Sequence, residues 1–239
     1  MGRSLKYEIP GVDPRVAPDD WVEKGWSGVF GAAADGEARS RVLEIGFGRG
    51  EFLLDLATSA RDVQFLGVEV SFKRTLKMAR KVARAALANV RLVEARAEDA
   101  IRALPAPGSL DAIWINFSDP WPKTRHAHRR VIQPAFVADA ARALAPGGHL
   151  YVATDDVPYA HQMNEVLSAE PALRNAYAPW PFVGDVEGRR QTGYESQWRE
   201  EGRPMHFFAY QRLNVPAEGS APGSVRPAPE REHSSRWRG

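Results

Sequence analysis

From residue 39 onward, short apolar runs alternate with amphipathic stretches, and the alternation predicts strands and helices in turn. Residues 41–45 read as a short buried strand and 51–60 as an amphipathic helix. A second strand is predicted over 64–70. Ser71 then caps a long helix to about residue 87, whose Leu76, Ala79, Val82, Ala83 and Ala86 recur at helical spacing. Residues 90–93 give a third strand, 98–104 a short helix ended by Pro105, and 110–117 a fourth, strongly apolar strand. A Pro-rich, basic loop fills 118–130. A helix over 132–144 is stopped by Pro146-Gly147-Gly148, and a fifth strand (149–154), a helix (157–167) and a late strand (206–211) follow. Such β-α alternation with short connections predicts an α/β fold built on a doubly wound, mostly parallel sheet with right-handed crossovers. No period of 20–50 residues recurs, which argues against a solenoid or propeller.

Two flanking segments break the pattern. Residues 1–38 carry Pro10, Pro14 and Pro18 with Trp21, Trp26 and Phe30 among them, and read as an irregular N-terminal arm that packs aromatics onto the domain and is a candidate cover for the active site. Beyond Leu213 the chain is rich in Pro, Gly, Ser and charge, with almost nothing to bury, so 214–239 is expected to be a disordered tail. The predicted domain is therefore 39–213.

Composition adds limits. At 239 residues with 44% hydrophobic content, the chain suits one domain of ordinary size. No apolar run approaches the roughly 20 residues of a membrane span, and the first residues lack the apolar core of a secretory signal. Zero cysteines excludes disulfides and thiolate metal sites and fits a reducing cytoplasm. The net charge of +2 is nearly neutral, so the distribution of charge matters more than its total.

Gly46-Phe47-Gly48-Arg49-Gly50 joins the first strand to the first helix, where glycines permit a tight turn and let a ligand lie against the backbone. A dinucleotide-binding turn of the form G-x-G-x-x-G would need a further glycine at position 51, where Glu51 stands. A carboxylate there is a poor neighbour for a pyrophosphate, which disfavours a nucleotide-dependent dehydrogenase. S-adenosylmethionine carries a sulfonium and an ammonium and no phosphate, and Glu44, just before the loop, suits that charge pattern. Glu69, at the end of the second strand, is placed to take both ribose hydroxyls. The plain alternatives are that Glu44 caps the loop and Glu69 is a solvated strand end. Beyond the third strand, Ala97 and Glu98 are candidates for the adenine side of the same pocket, and a simple helix-start charge is the alternative for Glu98.

The loop after the fourth strand, Asn116-Phe117-Ser118-Asp119-Pro120-Trp121-Pro122-Lys123, leaves the carboxyl end of a buried strand, where ligands meet open α/β sheets. Prolines and Trp121 stiffen it and turn Asp119 toward the cleft. Lys123, Arg125, Arg129 and Arg130, with His126 and His128, form a basic patch suited to a polyanion that presents a base. A solvated charge run is the alternative.

With these motifs the chain resembles the bacterial tRNA (guanine-N7)-methyltransferases, of the Rossmann-like class I S-adenosylmethionine-dependent type, over roughly residues 39–212. The resemblance rests on residues 43–50 and 67–70, on Asn116 through Pro134, on Ala153-Thr154-Asp155 with Tyr159-Ala160, and on Thr192-Gly193-Tyr194-Glu195. It implies that Glu44, Gly46, Gly48, Gly50 and Glu69 hold S-adenosylmethionine and that Asp119 is catalytic and borders the donor. It implies further that Lys123, Asp155 and the Thr192, Gly193, Tyr194, Glu195 segment contact the guanine; the plain alternatives are a cap on the following helix for Asp155 and an ordinary turn for the segment. Thr124 and His128 stand where the family often has basic residues, and Gly193 where it often has Lys.

The implied reaction is methyl transfer to N7 of a guanine in tRNA, at position 46 of the variable loop, giving 7-methylguanosine. N7 offers a free lone pair, so alignment and charge stabilisation are the main tasks. Asp119 suits both, since its carboxylate can accept from the guanine N1 and N2 edge. The alternatives are a methyltransferase of this fold acting on a small molecule or protein, and a non-catalytic RNA-binding subunit. The expected partner is tRNA, in the cytoplasm, with no membrane and no metal; monomer and homodimer both remain open.

Overall fold

Val42 packs into the apolar cluster on one face of the central strand, and Leu43 and Ile45 into the cluster on the other. The two-residue period of an extended chain therefore turns Glu44 to the same side as Val42. This strand is β1 (Arg41–Ile45). The computed structural model describes residues 8–31 and 40–214. Further strands are β2 (Gln64–Glu69), β3 (Val90–Glu94), β4 (Leu110–Asn116), β5 (Leu144–Thr154), β6 (Leu173–Asn175) and β7 (His206–Arg212). They form one sheet in the order β3-β2-β1-β4-β5-β7-β6. The pairings from β3 to β5 are parallel, and β7 runs antiparallel to both of its neighbours.

Helices α2 (Glu51–Ser59) and α3 (Phe72–Arg84) pack on one face, over Val42, Phe65, Ala112 and Trp114. Helices α4 (Ala97–Ala103), α5 (Pro134–Ala143) and α6 (Val157–Ser168) cover the other, over Leu43, Ile45, Ile113 and Ile115. Burial on both faces explains why the predicted strands read as continuous apolar runs. Each large aliphatic side chain so buried contributes roughly 1.5–3 kcal/mol. The doubly wound architecture expected from the alternation is the one present.

Four local readings change. Residues 18–30 are not irregular: they form helix α1 (Pro18–Phe30), kinked at Gly25 (φ 60°). Its Trp21 and Trp26 are buried, and Trp21 Nε1 donates to the Leu104 carbonyl at 2.9 Å. The preceding Arg15 bridges to Leu92, and Arg41, which opens β1, lies over the Trp26 ring at 5.5 Å. The described part of the arm thus runs along the β3 edge, where Asp13 and residues 15–18 line a cavity with Thr75 and Glu94 at the carboxyl end of β3, and reaches the amino end of β1. Second, Pro146-Gly147-Gly148 belongs to β5, which begins at Leu144 and shifts register against β4 between Leu110 and Ala112. At Gly148 an added Cβ would press within 2.9 Å of the Leu110 carbonyl, so glycine admits the close pairing. Third, Ser71 stands at the start of α3 without a side-chain cap, and its carbonyl accepts from Thr75 N at 2.9 Å instead. Fourth, β6 and helix α7 (Gly193–Glu200) had no counterpart in the apolar pattern. The expected tail lies outside the described residues. No helix among those described is long and apolar enough to cross a membrane.

Candidate active site

Three glycines with left-handed backbones make the turn from β1 into α2: Gly46 (φ 74°), Gly48 (φ 56°) and Gly50 (φ 75°). A Cβ at Gly50 would collide with the Met78 thioether, whereas one at Gly46 would meet open space, so a ligand can lie against Gly46. The turn is tied to β2, since Gly46 N donates to the Val68 carbonyl at 2.8 Å.

Glu69 is a buried anchor and not a solvated strand end. Its two oxygens accept from Gly48 N and Ser71 N, each at 3.0 Å, with the Arg74 guanidinium 3.7 Å away. Each carboxylate oxygen retains a further lone pair for a ligand hydroxyl. Glu44 is 2% exposed, and its Oε2 has no hydrogen-bond partner among the described residues. Burial pushes its carboxyl up to about 8, while the Asn116 amide and Arg189 pull it down and Glu69 adds to the rise. A buried carboxylate oxygen without a donor is costly unless a ligand supplies one, and an ammonium would. Ala97 and Glu98 open α4, both half-buried, with Glu98 3.7 Å from Arg96.

The loop after β4 is internally braced. Phe117 (φ 52°) and Trp121 (φ 43°) hold left-handed backbones that non-glycine residues rarely adopt, a local strain the surrounding contacts must sustain. Thr124–Arg129 forms a 3-10 turn. Arg130 is buried: Nε donates to the Pro120 carbonyl at 2.7 Å, Nη1 donates to Gln162, and the guanidinium lies 4.9 Å over the Tyr159 ring. Tyr159 Oη accepts from Ile132 N at 3.1 Å. Asp119, Lys123, Arg125 and Arg129 remain exposed, with Arg129 5.0 Å over the Trp121 ring. The patch thus divides into three outward cations and one that holds the loop's shape.

The later segment folds back over the glycine turn. Thr192 and Glu195 form a capping box at the start of α7, Thr192 Oγ1 accepting from Glu195 N at 3.0 Å. Glu195 is buried and also accepts from Arg189 and from Arg199 Nε at 3.1 Å. Tyr194 lies under the Arg49 guanidinium at 5.0 Å, and a Cβ at Gly48 would come 3.9 Å from its ring. A Cβ at Gly193 would come 2.7 Å from Glu51 Oε2. Asp155 is held by Arg203 at 3.1 Å, and the cap of α6 is Asp156, not Asp155.

Sequence reasoning passed over two residues here. Asn116 ends β4, two positions beyond the Trp114 that pairs with Glu44. Arg189 is buried and donates through Nη2 to Asn116 Oδ1 at 2.6 Å. Burial pushes its guanidinium down, against the pull of Glu195. Nothing in the Arg189-Arg190 pair marks which of the two turns inward. Among the described residues, no group of His, Asp and Glu is arranged to hold a metal ion.

Residues 38–208 match the model of a family described as "Putative methyltransferase". The same fold appears in the 16S rRNA methyltransferase KamB (TM-score 0.55, 16% identity, covering 73% of this chain and 88% of that one). It also appears in the antibiotic-resistance methyltransferase Kmr (TM-score 0.53, 17% identity, covering 77% of this chain and 91% of that one). Fold and family model agree on the class, a methyltransferase of the class I type. Two relatives narrow it, both named tRNA (guanine-N(7)-)-methyltransferase. The protein of Bordetella pertussis is 41% identical over 184 residues, 76% of this chain and 70% of its own length. That of Paraburkholderia xenovorans is 44% identical over 181 residues, 74% and 68% respectively. The chain belongs to the tRNA (guanine-N7)-methyltransferase family.

Proposed function

We propose that this chain methylates N7 of a guanine in tRNA, position 46 of the variable loop, giving 7-methylguanosine, with S-adenosylmethionine as donor. The observation that carries the reading is the exposed Asp119 three residues beyond Asn116, on a braced loop whose Lys123, Arg125 and Arg129 all face outward. The names of the relatives supply the substrate class.

The residues fit the donor. Glu44 offers an unpartnered buried oxygen to an ammonium, Gly46 leaves open space along the backbone, and Glu69 is pre-oriented for ribose hydroxyls. Ala97 and Glu98 are assigned the adenine side. When bound, S-adenosylmethionine supplies an electrophilic methyl group on a sulfonium. The chain itself need remove no proton, because guanine N7 carries a free lone pair. Asp119 accepts hydrogen bonds from the N1 and N2 edge and stabilises the positive charge that develops in the purine. Lys123, Arg125 and Arg129 hold backbone phosphates, which positions without reading sequence. Asp155 and the Thr192, Gly193, Tyr194, Glu195 turn are assigned to the guanine side. The cysteine-free composition and the tRNA substrate support a cytoplasmic location.

Incubation with unmodified tRNA and donor, followed by nucleoside analysis, tests the reading. Appearance of 7-methylguanosine is expected, and a wild-type chain that yields none overturns it.

A further inference from the structure

One buried cation at the heart of the site has no role in that scheme. Arg189 lies between the Phe207 ring (4.5 Å) and the Phe52 ring (5.6 Å), so its guanidinium is walled by β7 on one side and α2 on the other. Its Nη2 donates to Asn116 Oδ1 at 2.6 Å, and its Nη1 donates to Glu195 Oε2. We propose that Arg189 is a positioning residue that ties α7 to the donor pocket, so that occupation of the pocket and closure of α7 over the glycine turn favour one another. This rests on the reading of the pocket as an S-adenosylmethionine site.

Arginine carries only donors, so the atom of Asn116 that faces it must be the amide oxygen. That fixes the flip of the amide and leaves Nδ2 buried on the side away from Arg189, where it draws down the neighbouring Glu44 carboxyl. Glu44, beside Asn116, keeps a buried unpartnered oxygen. The pocket thus holds a buried amide whose orientation Arg189 fixes, beside a buried carboxyl on which Arg189 acts only through its charge. The other arm of the fork ends on Glu195, the third helical residue of α7 and half of its capping box. The neighbouring Tyr194 overlies Gly48, and Gly193 abuts Glu51, so the first turn of α7 rests on the glycine turn itself. A lysine could not replace this geometry, because a single ammonium does not present the planar fork that reaches two acceptors.

Linkage makes the effect reciprocal: if the donor favours closed α7, closed α7 must favour the donor by the same factor. The first measurement uses the wild-type full chain and S-adenosylmethionine without RNA. Hydrogen exchange of the amides of residues 194–200 is expected to slow by about fivefold or more on donor binding. The second compares donor affinity by calorimetry in four proteins: wild type, Glu195→Gln, Arg189→Lys and the double variant. Glu195→Gln should weaken donor binding about fivefold in the wild-type background and less than about twofold beside Arg189→Lys. Unchanged exchange in a wild-type chain that does bind donor overturns the tie alone, as does an equal loss in both backgrounds. A wild-type chain that binds no donor overturns the donor reading and the tie with it. The exchange measurement needs no variant, so a poorly folding substitution leaves the inference open to refutation.

Discussion

Arg130 Nε donates to the carbonyl of Pro120 at 2.7 Å, so the last cation of the loop after β4 closes the loop on its own first proline. Arg129, its neighbour in sequence, lies exposed against Trp121. The two arginines therefore predict different failures. Arg129→Ala should leave thermal stability unchanged and reduce the salt slope of tRNA binding by about 1. Arg130→Ala leaves a carbonyl and Gln162 without their donor and should cost about 1–3 kcal/mol of stability. Melting curves and binding titrations at several salt concentrations separate the two. Equal melting temperatures would show that Arg130 does not brace the loop.

Asp119→Ala is expected to retain donor binding and lose about 10²–10³-fold in kcat, the scale of a removed charge-stabilising group. Calorimetry with the donor and a labelled-methyl assay check this together. Near-normal turnover would remove Asp119 from the chemistry.

Glu44 sets a pH dependence. Its carboxyl is raised by burial to about 8, far above the range it has in the unfolded chain. Between those values the folded state holds a proton that the unfolded state has released, so stability of the donor-free chain falls as pH rises through that window. The loss is on the order of a few kcal/mol. Glu44→Gln should flatten the decline and melt higher than wild type at pH 8, while losing donor affinity. A variant that declines with pH as steeply as wild type would place the titration elsewhere.

Gly193 opens α7 with its α-carbon facing Glu51. The clash an added Cβ would make is with the flexible end of a glutamate, which can move aside. Gly193→Ala is therefore expected to stabilise the protein by about 0.4–1 kcal/mol, through the lower entropy of its unfolded chain. Gly193→Lys should add a weak ion pair to Glu51, lost in the Glu51→Gln background. A double-mutant cycle on melting temperature measures it, and an undiminished gain without Glu51 would rule out the pair.

Much of this fold is carried by local pattern. Strands β1, β2 and β4 are buried on both faces, so their apolar runs stand out in any window, and the glycines at 46, 48 and 50 mark a backbone that only glycine readily adopts. The carboxylates at the ends of β1 and β2 follow from strand boundaries alone. Helix α1 was obscured by Pro18, which sits acceptably in the first turn, and by Gly25 at its kink. Helix α7 carries a local start signal in Thr192 and Glu195, but the residue it buries is the charged Glu195, so no apolar face marks it in the sequence.

What the sequence by itself determined is the alternation of elements, the glycine turn with Glu44 and Glu69, and the basic loop beginning at Asp119. These are signals of backbone conformation and local periodicity, which neighbouring residues specify. Only the tertiary structure decided which arginines are tools and which are fasteners. Arg130 and Arg189 are indistinguishable in sequence from their neighbours, the exposed Arg129 and the half-buried Arg190 that pairs with Asp55. What separates them is burial: a guanidinium away from water must find acceptors, and those acceptors, Pro120 with Gln162 and Asn116 with Glu195, are brought within reach by the fold.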